Sequence, residues 1–119
     1  MARPRTFDEA DVIARAAAVF GTLGFNATSV DDLLNATGLQ RGSLYKAFGS
    51  KRHLFELVLA QALAPGWTSR PESIDLLIIA LKEMAPQDAA IKLLCRAALP
   101  EAGDGIAGLL GNRLLHHLD

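Results

Sequence analysis

A short polar run in the first half of the chain carries most of the chemistry that the sequence offers. Leu44 and Phe48 stand four residues apart, so they predict a helix whose one side is buried. The outer side supplies hydrogen-bond donors and acceptors without an acid among them: Gln40, Arg41, Ser43 and Lys46. A helix with such a side fits the major groove of double-stranded DNA. We therefore expect these four residues to read base edges.

Residues beside this helix are suited to phosphate groups. Gly42 has no side chain and lets the backbone come close to a phosphate, and the Tyr45 hydroxyl reaches one from the edge of the groove. Ser50 predicts the cap of a further helix that begins with Lys51 and Arg52, whose amides, dipole and cations all favour an anion. The expected phosphate contacts are Thr28, Tyr45 and Lys51.

The elements that must position these groups lie within residues 28–53. Thr28 and Ser29 supply an oxygen cap for a helix whose first turn is acidic, because Asp31 and Asp32 follow. That helix ends at Gly38, where the backbone can leave through a left-handed conformation. Two short helices joined by a glycine turn predict a helix-turn-helix unit.

The segment before this unit contains an arm and a first helix. From Asp8 to about Leu23 apolar residues recur at steps of three and four, which predicts an amphipathic helix packed on the helix-turn-helix. Residues 1–7 form the arm, in which Arg5 is free to reach a minor groove. The alternative for the arm is a solvated tail, which is the usual state of a terminus without DNA.

As a joint pattern, these residues resemble the TetR/AcrR-type transcriptional repressors. The resemblance covers Arg5 to about Ala60 and includes FGTLGF at 20–25, ATSV at 27–30, TG at 37–38, GSLY at 42–45, Phe48 and SK at 50–51. It implies a three-helix DNA-binding head, a fourth connecting helix and a helical C-terminal part that dimerises and often senses a small ligand. Gln40 and Ala47 depart from the commoner pattern, and Ala47 replaces a frequent His that touches the DNA backbone.

The remainder of the chain predicts further helices, so the expected fold is all-α. A fourth helix runs from Ser50 to about Ala64, and a segment rich in helix breakers at 64–71 predicts a hinge loop with Trp67 as a packed anchor. Three short helices follow, at about 73–84, 89–99 and 105–118. We divide the chain into a DNA-binding head at 1–50 and, at 51–119, the connecting helix with a short part for dimerisation and ligand sensing.

The C-terminal helices hold more Leu and Ile than so small a unit can bury, which predicts an interface. A homodimer would place two recognition helices on one side of the DNA, about 34 Å or a multiple apart, and would read a palindromic operator. This part is short for the family it resembles. Two alternatives therefore remain for a small-molecule effector: it binds in a pocket between the subunits, or there is no effector.

Composition and charge narrow the class of protein to which the chain can belong. The net charge is −1, but residues 1–53 carry seven Lys and Arg against five acids, so the basic groups are concentrated in the first half. The sequence contains neither a signal peptide nor an uncharged run long enough to span a membrane, and we expect a cytoplasmic protein. The single Cys95 is expected to be a small buried apolar residue rather than a redox sensor.

No catalytic or metal-binding pattern accompanies these features. His116 and His117 are adjacent and would point about 100° apart on a helix, which makes a poor metal pair. A phosphate-binding glycine loop and paired cysteines are also missing, so we expect no enzyme and no cofactor. The predicted function is sequence-specific DNA binding by a dimeric repressor. The alternative is a helical protein-protein interaction module that no longer binds DNA.

Overall fold

A computed structural model describes residues 7–119, and within them every regular element is helical, which confirms the all-α prediction. The N-terminal arm with Arg5, at residues 1–6, lies outside the described residues. The α-helices are α1 Glu9–Leu23, α2 Val30–Thr37, α3 Arg41–Phe48, α4 Lys51–Ala62, α5 Pro71–Ile79, α6 Ala89–Ala98 and α7 Ile106–Leu115.

Helix α1 forms the support on which the two helices of the helix-turn-helix pack. Asp8 caps it by accepting a hydrogen bond from the Ala10 amide, so the predicted start of this helix is confirmed. Val12, Ala16 and Phe20 recur every four residues and are almost fully buried. The helix ends at Gly24, whose φ of 88° lies in the region that glycine tolerates best.

Three aromatic rings join α1, the following loop and α4. The ring of Phe55 meets those of Phe20 and Phe25 edge to face, with centroids 5.1 and 5.3 Å apart. Such aromatic pairs add to the free energy already gained from burial. Helix α4 is buried on more than one side, as predicted, through Leu54, Phe55, Val58 and Leu59. It therefore forms the central helix between the head and the C-terminal helices.

The predicted hinge loop at 64–71 is held in place by three separate contacts. Trp67 is fully buried and its indole Nε1 donates to the Ala98 carbonyl at 3.1 Å, which confirms the expected anchor. The Arg70 guanidinium donates to backbone carbonyls of the same loop. Glu101 accepts from the amides of Gly66 and Thr68, and these bonds hold the pKa of that carboxyl below its usual range. The loop is thus a braced connection rather than a free hinge.

The C-terminal helices differ from their predicted bounds in two places. Helix α5 begins at Pro71, two residues early, because proline suits a first helical turn. It then continues as a π-helical segment, Ala80–Met84, in which the Ala85 amide donates to the Ala80 carbonyl. Helix α7 has no buried residue, whereas Ile91 and Cys95 anchor α6. Burial raises the pKa of the Cys95 thiol, as expected for a buried apolar residue.

The hydrophobic core is continuous from α1 to α6, with members from Val12 to Cys95. The division into a head at 1–50 and a C-terminal part at 51–119 therefore stays a prediction about roles. None of the helices in residues 7–119 combines the length and apolarity that a membrane crossing requires.

Arg52 on α4 connects the head to α6 through Asp88. The guanidinium donates from Nε and Nη2 to the two carboxylate oxygens of Asp88, at 2.6 and 2.9 Å, and also donates to Glu56. The paired guanidinium lowers the pKa of Asp88 to about 2. Because the folded state lowers this pKa, the pair stabilises the fold at neutral pH and ceases to do so as the carboxylate is protonated.

We predict that Asp88→Asn lowers the free energy of unfolding at pH 7, since Asn keeps the cap of α6 but loses the charge. The difference from the wild type should be full above about pH 4 and should shrink as the pH falls toward 2. Urea unfolding at a series of pH values measures this difference. Asp104→Asn, at an exposed acid, is the control and should change little. A difference for Asp88→Asn that is the same at every pH would contradict the assigned ion pair.

Candidate nucleic-acid interface

The turn between α2 and α3 has the geometry that its sequence predicts. Ser29 caps α2 by accepting from the Asp32 amide, and the Asp32 carboxylate accepts in return from the Ser29 amide. That reciprocal bond holds the pKa of Asp32 below its usual range. Gly38 ends α2 in a left-handed conformation with φ of 75°. The expected helix-turn-helix is therefore present, with its second helix at Arg41–Phe48.

Helix α3 presents its polar side to solvent. Leu44 and Phe48 are buried at the four-residue spacing that the sequence showed. This burial leaves the outer side accessible, and its exposed members are Gln40, Arg41, Gly42, Ser43, Tyr45 and Lys46. A Cβ added at Gly42 would meet no atom within 4 Å, so its backbone is open to an approaching phosphate. The structure thus brings six of the nine predicted DNA-contact residues to one surface.

Arg41 is paired with an acid from the preceding helix. Its Nη2 donates to Asp31 Oδ1 at 2.6 Å, and both side chains are more than half exposed. The acid-free character of α3 is therefore a property of that helix alone, because Asp31 places a carboxylate beside its first residue. The sequence showed Asp31 only as a first-turn acid of α2. The geometry of the turn, rather than any spacing along the chain, brings the two together.

Thr28 does not reach the predicted DNA-binding surface. The residue is 1% exposed, and its hydroxyl donates to the Gly24 carbonyl one turn earlier. A buried hydroxyl that is already bonded inside the protein is not free to bind a phosphate oxygen. A phosphate contact from the Thr28 side chain would need this hydroxyl to leave the Gly24 carbonyl, and that contact stays a prediction. The cap of α2 comes from Ser29 alone, and Thr28 closes the loop before it.

The two cations at the start of α4 also have internal partners. Lys51 Nζ donates to the carbonyls of Phe25 and Thr28, each at 2.9 Å, and lies 4.3 Å from the centre of the Phe25 ring. Arg52 is held by Asp88 and Glu56, as described above. Ser50 does cap the helix as predicted. Both cations therefore brace the fold, and one Lys51 donor is left for DNA. The phosphate clamp at this end of α4 stays a prediction.

Glu83 is a contact residue that the sequence reasoning missed. It lies in the π-helical segment after α5, and its Oε1 accepts from the Asn26 amide at 2.7 Å. A Cβ added at Gly24 would come within 2.8 Å of Glu83 Oε2, so Glu83 would have to shift, and the φ of 88° favours glycine there in any case. The loop between α1 and α2 is therefore held by Lys51 from the head side and by Glu83 from the C-terminal side.

No group of three or more His, Cys, Asp or Glu in residues 7–119 is arranged to hold a metal ion. The surface of α3 is instead a set of hydrogen-bond donors and acceptors on a narrow helix. Such a surface can bind bases and phosphates through hydrogen bonds, without making or breaking covalent bonds.

The fold and the outer face of α3 define a helix-turn-helix domain. The family described as bacterial regulatory proteins, tetR family, matches residues 12–58, which include most of α1, all of α2 and α3, and most of α4. This N-terminal part of the chain is thus similar to that family of regulators.

Relatives match just under half of the chain. An uncharacterized HTH-type transcriptional regulator, YezE, of Bacillus subtilis (strain 168) is 49% identical over 55 residues, which are 46% of this chain and 28% of YezE. The HTH-type transcriptional repressor BdcR of Escherichia coli (strain K12) is 44% identical over 57 residues, which are 48% of this chain and 29% of BdcR. The chain thus covers less than a third of the length of either relative.

A solved structure is similar over nearly the whole chain. It is the TetR family transcriptional regulator CifR, a cysteine mutant complexed with 26-bp double-strand operator DNA. The TM-score is 0.58 at 26% identity, and the match covers 97% of this chain and 73% of CifR. The C-terminal helices thus share an arrangement with those of a TetR family regulator.

We predict that Lys51→Met lowers the free energy of unfolding by about 1 to 2 kcal/mol, because two half-buried carbonyls lose a charged donor. Lys46→Met removes the same charge from the exposed side of α3 and should change stability little. Thermal and urea unfolding of both variants measure the difference. Equal stability of Lys51→Met and wild type would show that the ammonium group is not needed as a brace.

Proposed function

We propose that the chain is a sequence-specific DNA-binding transcriptional regulator that acts as a dimeric repressor. The observation that carries the proposal is the exposed outer face of α3, held outward by the burial of Leu44 and Phe48. The proteins that the chain resembles, which are a transcriptional regulator, a repressor and a regulator complexed with operator DNA, support it. Binding to bacterial DNA would place the protein in the cytoplasm. We propose no catalytic role.

In the proposed complex α3 lies in the major groove. Arg41 donates to a guanine, while Ser43, Lys46 and Gln40 contact neighbouring base edges. Tyr45, the backbone at Gly42 and the remaining Lys51 donor bind phosphates and fix the register on the duplex. Arg5 retains its proposed role in the minor groove.

The proposed dimer joins through the last two helices. Leu93 on α6 and Leu114 and Leu115 on α7 are exposed, and α7 buries none of its residues in the single chain. A Cβ added at Gly108 or Gly111 would meet nothing within 4 Å, which leaves room for a second helix to approach. Exposed large apolar side chains on these two helices favour a partner. A second copy of the chain is the partner that a palindromic operator requires.

The proposal includes control by a small-molecule effector that acts by moving α3. Polar contacts join the C-terminal helices to the rest of the chain, among them Arg52 on α4 with Asp88 on α6, and Glu83 with the Asn26 amide in the head. A ligand that binds one arrangement of the C-terminal helices better than another would shift the position of α3 through these contacts. The dimer would then lose the spacing that its operator requires.

Selection from a library of random duplexes with the purified chain tests the DNA-binding role. The proposal predicts recovery of an inverted repeat whose half-sites are separated by about one helical turn or a multiple of it. Recovered sequences that do not differ from the starting library would contradict specific binding. They would favour the alternative, a helical interaction module, which the exposed leucines of α6 and α7 also fit.

We predict that Arg41→Ala weakens binding to the selected duplex by about 1 to 3 kcal/mol and relaxes specificity at one base pair. Fluorescence anisotropy with the selected duplex and its single base-pair variants measures both effects. Arg15→Ala is the matched control, because Arg15 also lies in the head and is also paired with an exposed acid, Asp11. Equal losses for Arg41→Ala on the selected and on random duplexes would contradict base reading by Arg41.

We predict that Leu115→Glu on α7 converts the dimer to a monomer, because burying an unpaired carboxylate in the interface is unfavourable. Light scattering measures the mass of the wild type and of the variant. Leu23→Glu, at an exposed leucine of the head, should leave the mass unchanged. A wild-type chain that is monomeric at all accessible concentrations would contradict the proposed interface.

A further inference from the structure

We propose that Asp31 is a positioning residue for Arg41, so that one base pair of the operator is read by a side-chain pair contributed by two helices. The inference rests on the DNA-binding role proposed above and adds a residue to it. It also assigns a role to a carboxylate that would otherwise only repel phosphates on the DNA-facing surface.

The geometry of the pair leaves the guanidinium available for a base. Asp31 Oδ1 accepts a single hydrogen bond from Arg41 Nη2, at 2.6 Å. A guanidinium has five N–H groups in a rigid fork, so four remain for DNA. A guanine presents O6 and N7 as two adjacent acceptors in the major groove. The carboxylate therefore restrains the rotation of the side chain without occupying the donors that reading a guanine requires.

Both backbone positions are fixed by the turn. Asp31 lies between Ser29 and Asp32, whose reciprocal capping bonds hold the first turn of α2. Arg41 is the first residue of α3, which the left-handed Gly38 separates from α2. The distance between the two side chains is thus set by the same turn that sets the angle between the helices.

Because both side chains of the pair are exposed, its role is not to stabilise the fold. The Asp31 side chain is 74% exposed and that of Arg41 is 53% exposed, and ion pairs in water contribute little to the free energy of folding. The same pair would strengthen when DNA displaces the water around it, since an ion pair gains strength in a medium of lower dielectric constant. An ordered guanidinium also loses less conformational entropy on binding its base.

The carboxylate has a second, opposite effect on affinity. An acid beside the groove repels phosphates of any sequence, so it weakens binding to random DNA. Positioning at one base and repulsion everywhere both raise the ratio of specific to random binding. They are distinguishable because only positioning is confined to the base pair that Arg41 reads.

The test compares wild type, Asp31→Asn, Arg41→Ala and the double variant on the selected duplex, on its single base-pair variants and on random DNA. We expect Asp31→Asn to reduce discrimination by about three- to tenfold at the base pair that Arg41→Ala affects. Binding to random DNA should be unchanged or tighter. The double variant should discriminate no worse than Arg41→Ala alone, because the two residues act as one unit.

Asp11→Asn is the control, since Asp11 is the exposed partner of Arg15 on α1 and its loss removes the same charge from the head. Circular dichroism melts verify that each variant is folded. The inference is overturned if Asp31→Asn tightens binding to all duplexes equally, or if it changes discrimination at a different base pair. It is also overturned if its effect adds fully to that of Arg41→Ala. A wild type that selects no sequence overturns the proposed function instead, and this inference with it.

Discussion

The four-residue spacing of Leu44 and Phe48 is the constraint on which the proposed interface depends. Helix α3 has eight residues, and two of them are buried in the core shared with α1 and α4. Because a helix turns by about 100° per residue, fixing these two side chains also fixes the direction of every other one. The basic side of α3 faces outward for this reason, and no element in residues 7–119 has to hold it there separately.

The loop between α1 and α2 determines where that face lies relative to the rest of the molecule. Lys51 binds its carbonyls from α4, and Glu83 binds its Asn26 amide from the segment after α5. The loop is therefore positioned by both parts of the chain. Cations and acids that appear from their charge to be available for DNA are in several cases used to join helices, as with Arg52 and Asp88.

Local patterns predicted the helices well, and they predicted side-chain partners poorly. The caps at Asp8, Ser29 and Ser50 and the left-handed turn at Gly38 follow from short-range chemistry that residue types reveal. Thr28 and Lys51 were assigned to phosphates because their types fit. Their actual partners are carbonyls that tertiary packing brings close, 23 and 26 residues away in the case of Lys51. The ion pair of Asp31 with Arg41 depended in the same way on a turn geometry that spacing does not encode.

The central claim, that the outer face of α3 contacts DNA, is tested most directly by NMR. The ¹⁵N-labelled chain would be titrated with the duplex recovered by selection, and the change in each amide resonance would be mapped onto the structure. The account predicts the largest changes at the amides of residues 40–46, with small changes at the amides of α6 and α7. Large changes confined to α6 and α7, with the resonances of α3 unmoved, would contradict it.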